Sequence, residues 1–172
     1  NVHSWQGDNG YNFDRFMEVA KEVDPDIICG QEALADGPEL QSLHESGYNI
    51  YFDTTLHYPF RGRFGNFIAT KAAFTSTDNI RLRNIKLITT PRNAVLADIA
   101  TKIGSLTLEN THLSINSKES NMQARGLFKK IGGRADAACG DWNQSPKTVA
   151  AGPIGSMAAR ITELEGEPTY PA

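Results

Sequence analysis

A short apolar run closed by breakers constrains this chain more than any other feature: Asp24-Pro25-Asp26-Ile27-Ile28-Cys29-Gly30-Gln31-Glu32. Ile27, Ile28 and Cys29 are too few for a helix and rich in β-branched side chains, so the run predicts a buried strand. Glu32 is expected one step past its end. In layered α/β folds, ligands and catalytic groups collect where strands give way to loops. A single glutamate in such a place is ordinarily a solvated loop acid, so the reading turns on whether the pattern recurs.

It recurs at Ala135-Asp136-Ala137-Ala138-Cys139-Gly140-Asp141-Trp142-Asn143, where a small apolar strand again runs through cysteine and glycine into a carboxylate. Between the two lies Leu106-Thr107-Leu108-Glu109-Asn110-Thr111-His112-Leu113, an alternating strand with Leu106, Leu108, Asn110 and His112 on one face. Three strands thus deliver Glu32, His112 and Asp141, with Asn143, at or near their ends.

The order of these pieces carries a resemblance. Asn1-Val2-His3, the DPDIICGQE run, FGN at Phe64 to Asn66, NTHL at Asn110 to Leu113 and GDWN at Gly140 to Asn143 follow one another along nearly the whole chain. In that order and spacing they resemble the endonuclease/exonuclease/phosphatase superfamily of DNase I-like proteins. The resemblance implies an α+β protein, a DNase I-like four-layer α/β sandwich with mixed sheets, and a metal-dependent hydrolase of phosphoester bonds, expected to be a phosphodiesterase or nuclease-like enzyme. It implies Glu32 and Asn1 as ligands of Mg²⁺ or Mn²⁺, and His112, Asp141 and Asn143 as catalytic groups. Phosphoester hydrolysis needs a cation to neutralise phosphoryl oxygens, a group to align water, and donors for the developing charge. Asp141 is expected to align water and His112 to hold a phosphoryl oxygen, with Asn143 and Asn1 donating to phosphate or metal-bound water. Glu32 offers a hard oxygen ligand, and magnesium takes only one or two protein carboxylates.

The chain also departs from the pattern. Ser120 stands where family members usually carry an arginine, three residues before the position of Gln123, which removes one expected phosphate contact. The family's first strand, which precedes the position of Asn1, and its final Asp-His pair, which follows a segment like Pro168-Thr169-Tyr170-Pro171-Ala172, have no counterpart in the sequence. Residues 1–172 are therefore expected to be one domain, incomplete at both ends. The alternative from another class is a non-catalytic relative that keeps the phosphate-facing cleft as a binding module.

Composition narrows the partners. With 172 residues, 40% hydrophobic and 22% charged, the chain can bury a sizeable core, and no apolar run nears the roughly 20 residues of a membrane span. A net charge of −3 gives no general basic field for nucleic acid, although a bound cation reverses the local field of an acidic site. Nucleic acid, a phospholipid head group and a small phosphoester all remain open as substrates, and a monomer is expected. Cys29 and Cys139 read as buried free thiols, with a disulfide between them as the alternative.

Along the chain, Asn12 is expected to cap a helix that buries Phe13, Phe16, Ala20 and Val23 and ends at Asp24-Pro25. A second helix should run from Pro38 to Gly47 with Leu40 and Leu43 inward, followed by a strand at 48–52. Residues 53–63 read as a loop in which His57, Tyr58 and Phe60 alternate with Arg61 and Arg63. Such content suits a phosphodiester or stacked base, and equally a surface loop anchored by Phe60. Asn66, on the following strand, is a further candidate for substrate contact, although a structural role competes. Residues 79–88 suggest two strand segments joined by a bulge, residues 92–99 another strand, and Lys102-Ile103-Gly104 a hairpin turn. A helix at 118–131 should bury Ala124, Leu127, Phe128 and Ile131 and stop at Gly132-Gly133. A last helix is expected near 156–164. His3, two residues from Asn1, is a weaker candidate to point the same way, and His44 is expected to be solvated.

Overall fold

The computed structural model of the protein describes residues 1–7, 10–85 and 90–144. A 3₁₀ turn, His3–Trp5, leads into a two-stranded ribbon of β1 (Gln6–Gly7) and β2 (Gly10–Tyr11), then α1 (Phe13–Val23) and β3 (Ile27–Leu34). The helix α2 (Glu39–Glu45) precedes the long hairpin β4 (Asn49–Tyr58) and β5 (Gly62–Thr70). A second set follows as β6 (Phe74–Arg81), β7 (Asn93–Thr101), β8 (Gly104–His112), α3 (Ser117–Ile131) and β9 (Ala137–Asp141).

The strands form two larger sheets, ordered β3-β5-β4 and β6-β7-β8-β9. All their neighbours pair antiparallel except β8 and β9, which are parallel and joined across α3. The sheets face each other through Ile68, Val95, Ala97, Ile99 and Leu108, with Ile27, Cys29 and Cys139 packed against that cluster. On the outer face of the first sheet, Phe67, Ala69 and Ala33 pack against Trp5 and Phe13 and against Leu40 and Leu43 of α2. On the outer face of the second, Ile80, Ala94 and Leu96 pack against Leu127 and Ile131 of α3. Helices outside two stacked sheets make the four layers, and both faces of each sheet are covered, which is why β5 and β7 are buried along most of their length.

Several local expectations change. Residues 53–63 are not a loop: β4 and β5 pair from Asn49↔Thr70 to Tyr58↔Gly62, and the turn between them is closed by Arg61 N donating to Tyr58 O at 3.3 Å. The ladder with β5 overrides the polar composition of the segment. Asn12 makes no side-chain cap to α1, and Val23 is exposed where burial was expected, while Met17 packs inward beside Phe16. By contrast, the Asn116 side chain caps α3 by accepting from Glu119 N at 3.1 Å. Of the two segments expected over 79–88, the first is the end of β6, whose one irregularity lies between Phe74 and Ser76, and the second reaches into residues that are not described. Residues 86–89 and the helix expected near 156–164 lie outside the described residues.

Candidate active site

β3 does not stop before Glu32. It runs on to Leu34 and swells between Gly30 and Ala33, where its register with β5 shifts. Glu32 sits in that bulge at φ 62°, a left-handed backbone that a glutamate adopts only where its surroundings impose it. The bulge re-aims the carboxylate, so a mid-strand residue reaches the site at the strand's flank.

Asp141 ends β9 directly across from His112 at the end of β8. The two chains come so close that a Cβ on Gly140 would lie 2.0 Å from Thr111 O, and Gly140 has φ 143°, so only glycine fits before the carboxylate. Asn143 follows at φ 50°, its backbone N donating to Asp141 Oδ1 at 3.1 Å in a turn that the aspartate caps itself. From the other end of the chain, Asn1 Nδ2 donates to Asp141 Oδ2 at 3.0 Å, while Asn1 Oδ1 accepts from His3 N.

His112, 2% exposed, is the centre of the cluster. Its Nδ1 is 2.9 Å from Arg92 Nη1 and 3.6 Å from Glu32 Oε1; its Nε2 is 3.0 Å from Asn143 Nδ2 and 3.7 Å from Asp141 Oδ2. Burial, reinforced by the Arg92 charge, pushes the His112 pKa down to about 4, so the ring is neutral near pH 7. Burial works against ionisation of Asp141, but the hydrogen bond from Asn1, the neighbouring His112 and the Asn143 N–H outweigh it and lower the aspartate's pKa. Asp141 is therefore an anion suited to accept from, and align, a water.

Arg92 is the residue that sequence reasoning missed. It precedes β7 by one position, its guanidinium is largely desolvated, and Glu32 and Asp141 are the leading charges that oppose the resulting fall in its pKa. The signal in the sequence was only an arginine at a strand start. His3 also joins the cluster, with Nδ1 3.6 Å from Glu32 Oε2.

Of the expected substrate contacts, Arg63 and Asn66 are bonded to residues outside this cluster among the described residues. Arg63 Nε is bound to Asp36 Oδ1 at 2.7 Å, and Arg61 is exposed just past Phe60 at the tip of the β4–β5 hairpin. Asn66 is buried and hydrogen-bonded to Asn93. His44 is exposed, with Nδ1 2.8 Å from Tyr48 O. Cys29 and Cys139 are free thiols; hydrogen bonding to Cys29, together with burial, pushes the Cys139 thiol up.

Among the described residues no three His, Cys, Asp or Glu side chains surround a common point. The donor chemistry nevertheless fits a hard divalent cation. Both Glu32 oxygens stand 3.6 Å from histidine nitrogens, beyond hydrogen-bond length, so their lone pairs stay available. One such carboxylate with an amide oxygen, such as that of Asn1, meets the sparse protein demand of magnesium.

No protein-family model and no curated protein matches the chain. Solved structures do. The human Nocturnin catalytic domain with bound sulfate superposes with a TM-score of 0.67 at 21% identity, covering 83% of this chain and 62% of that one. A Bacteroides thetaiotaomicron mannosyl-6-phosphatase gives 0.66 at 18% identity, over 84% and 61% of the two chains. D. rerio TDP2 complexed with single strand DNA product gives 0.64 at 21% identity, over 86% and 58%. The chain thus spans about three fifths of the length of these structures. Its two stacked sheets, one antiparallel and one mixed, flanked by helices, have the DNase I-like fold of these structures.

Proposed function

We propose that the chain carries the catalytic centre of a divalent-metal-dependent hydrolase that cleaves phosphoester bonds, with a phosphodiester as substrate. The observation that carries this reading is the convergence of Glu32, Asp141, Arg92 and a neutral His112 within one cluster. Two anions, one desolvated cation and one neutral imidazole are the parts that hydrolysis at phosphorus needs. The similar solved structures favour it too: one holds a sulfate, one a single strand DNA product, and one is a mannosyl-6-phosphatase.

Glu32 and Asn1 would hold Mg²⁺ or Mn²⁺, which supplies charge neutralisation to the phosphoryl oxygens when bound. Asp141 accepts a hydrogen bond from the attacking water and orients it, its carboxylate fixed by Asn1 Nδ2 and the Asn143 N–H. Arg92 donates to a phosphoryl oxygen as charge builds there, and the His112 ring, neutral because it is buried, donates through whichever nitrogen carries its proton. Asn143 Nδ2, held by Leu113 O at 2.9 Å, presents its second hydrogen to the same region.

The test is hydrolysis of bis-p-nitrophenyl phosphate, and of p-nitrophenyl phosphate as the monoester control, with Mg²⁺ or Mn²⁺ and with EDTA. Metal-dependent turnover of the diester that is abolished in Asp141→Ala is the expected result. Turnover of the monoester alone would move the substrate class. Phosphate binding with no turnover of either ester by the folded protein would favour a binding module.

A further inference from the structure

We propose that Asn66 and Asn93 form a positioning pair that holds Arg92 against His112, a reading that rests on the phosphoester site proposed above. Asn93 is the first residue of β7 and is 0% exposed. Its Oδ1 accepts from Asn66 Nδ2 and from Thr55 Oγ1, both at 2.8 Å, and its Nδ2 donates to Asp53 Oδ2 at 2.5 Å. Its main-chain carbonyl accepts from Asn66 Nδ2 at 3.1 Å and Thr111 Oγ1 at 3.2 Å. Donors from β4, β5 and β8 therefore converge on one residue of β7, tying the two sheets together at the active-site end.

Arg92 is the next residue out. On the β8 side the ladder of β7 begins only at Ala94↔Thr111, so there Arg92 and Asn93 lie beyond it, while on the other side Asn93 pairs with Arg81 of β6. Strand ends fray unless something outside the ladder satisfies their backbone groups. Asn93 is pinned by its amide network, and the Arg92 carbonyl accepts from Leu82 N at 2.9 Å. The guanidinium can then reach His112 Nδ1 at 2.9 Å with little freedom left to lose.

The chemistry of the pair argues for positioning rather than packing. Burying amides costs free energy relative to apolar side chains unless every bond is made, whereas a fully satisfied network specifies one geometry. Asn66 and Asn93 are both buried and hydrogen-bonded to each other, and the pair sits one residue from the Arg92 guanidinium. Asn66 thus serves the site through Arg92 and does not touch substrate.

A double-mutant cycle with a second readout decides it. In Arg92→Ala, kcat should fall about 100-fold, the usual effect of removing one well-aimed donor. Asn66→Ala should lower kcat at least 10-fold with KM changed less than 3-fold, yet cost under 2-fold further in the Arg92→Ala background. Thr55→Val, which leaves the amides in place, should show the same direction more weakly and guards against a failure of Asn66→Ala to fold. Independently of turnover, the ¹H–¹⁵N signal of the Arg92 guanidinium should be slow to exchange in the parent protein and lost in Asn66→Ala. Losses that add in the double variant, or a retained Arg92 signal in folded Asn66→Ala, would overturn the positioning role. If the protein hydrolyses no phosphoester, the guanidinium signal alone decides the positioning, while the hydrolase reading fails separately.

Discussion

The guanidinium of Arg92 stands 2.9 Å from Nδ1 of His112, and because arginine only donates, that contact requires an unprotonated Nδ1. Asn143 Nδ2, a donor to Leu113 O, is 3.0 Å from the opposite nitrogen, Nε2. A neutral imidazole accepts at one nitrogen only, so the ring has two arrangements. With Arg92 donating to Nδ1, the proton lies on Nε2 facing Asp141; with Asn143 donating to Nε2, it lies on Nδ1 facing Glu32. In each tautomer one donor is bonded and the remaining N–H faces a carboxylate that is beyond hydrogen-bond length, at 3.7 Å or 3.6 Å.

The neutral ring makes a spectroscopic prediction. In the metal-free protein, ¹⁵N shifts of His112 should report an uncharged imidazole at pH 7, with protonation near pH 4. Its folded pKa lies below the unfolded value of about 6.5, so the unfolded chain binds more protons between them. The contribution of His112 to stability is therefore present above pH 6.5 or so and lost as pH falls toward 4. Denaturation of His112→Gln across that window should lack this component.

Glu109 makes the opposite prediction. It is fully buried on β8, neither carboxylate oxygen has a hydrogen-bond partner among the described residues, and burial raises its pKa well above the usual carboxylate range. The folded state thus binds the proton more tightly than the unfolded chain. Stability from this group is complete below about pH 4.3 and declines as pH rises through the elevated folded pKa. Glu109→Met should raise stability at pH 7 by about 1–3 kcal/mol and flatten that decline, as read by guanidinium unfolding.

At the hairpin tip, Phe60 occupies a turn position at φ 66° and is 107% exposed. An L side chain there strains the backbone and packs on nothing. Phe60→Gly should leave stability unchanged or raise it by up to about 1 kcal/mol, whereas truncating a buried phenylalanine such as Phe67 to alanine should cost about 3–5 kcal/mol. Thermal melts of the two variants give the comparison.

The thiols of Cys29 and Cys139 should react in a pattern set by their packing between the sheets. Both are free, and the raised pKa of Cys139 disfavours its thiolate. A chromogenic disulfide reagent should label the native protein slowly at pH 8 and reach two thiols per chain at once in guanidinium without reductant. Fewer than two would mean that the pair is oxidised.

The sequence by itself determined the elements whose signals are local. The DPDIICGQE run, the alternation through Asn110 and His112, and the Gly140-Asp141 ending each carry their breakers or their period within a few residues, and Asn116 and Gly132 bound α3 for the same reason. Those stretches were enough to name Glu32, His112 and Asp141, and their order along the chain was enough for the family resemblance. Only the tertiary structure decided how they meet. The bulge that turns Glu32 out of the middle of β3 is a mismatch with β5, and no single strand's pattern encodes a register shift between two. Pairing with β5 drew residues 53–58 into a strand despite their polar content. The same is true of Arg92, which lies 20 positions before His112, and of Asn66, 27 before Asn93. Contacts over such separations follow from how the two sheets stack, and local propensity carries no record of them.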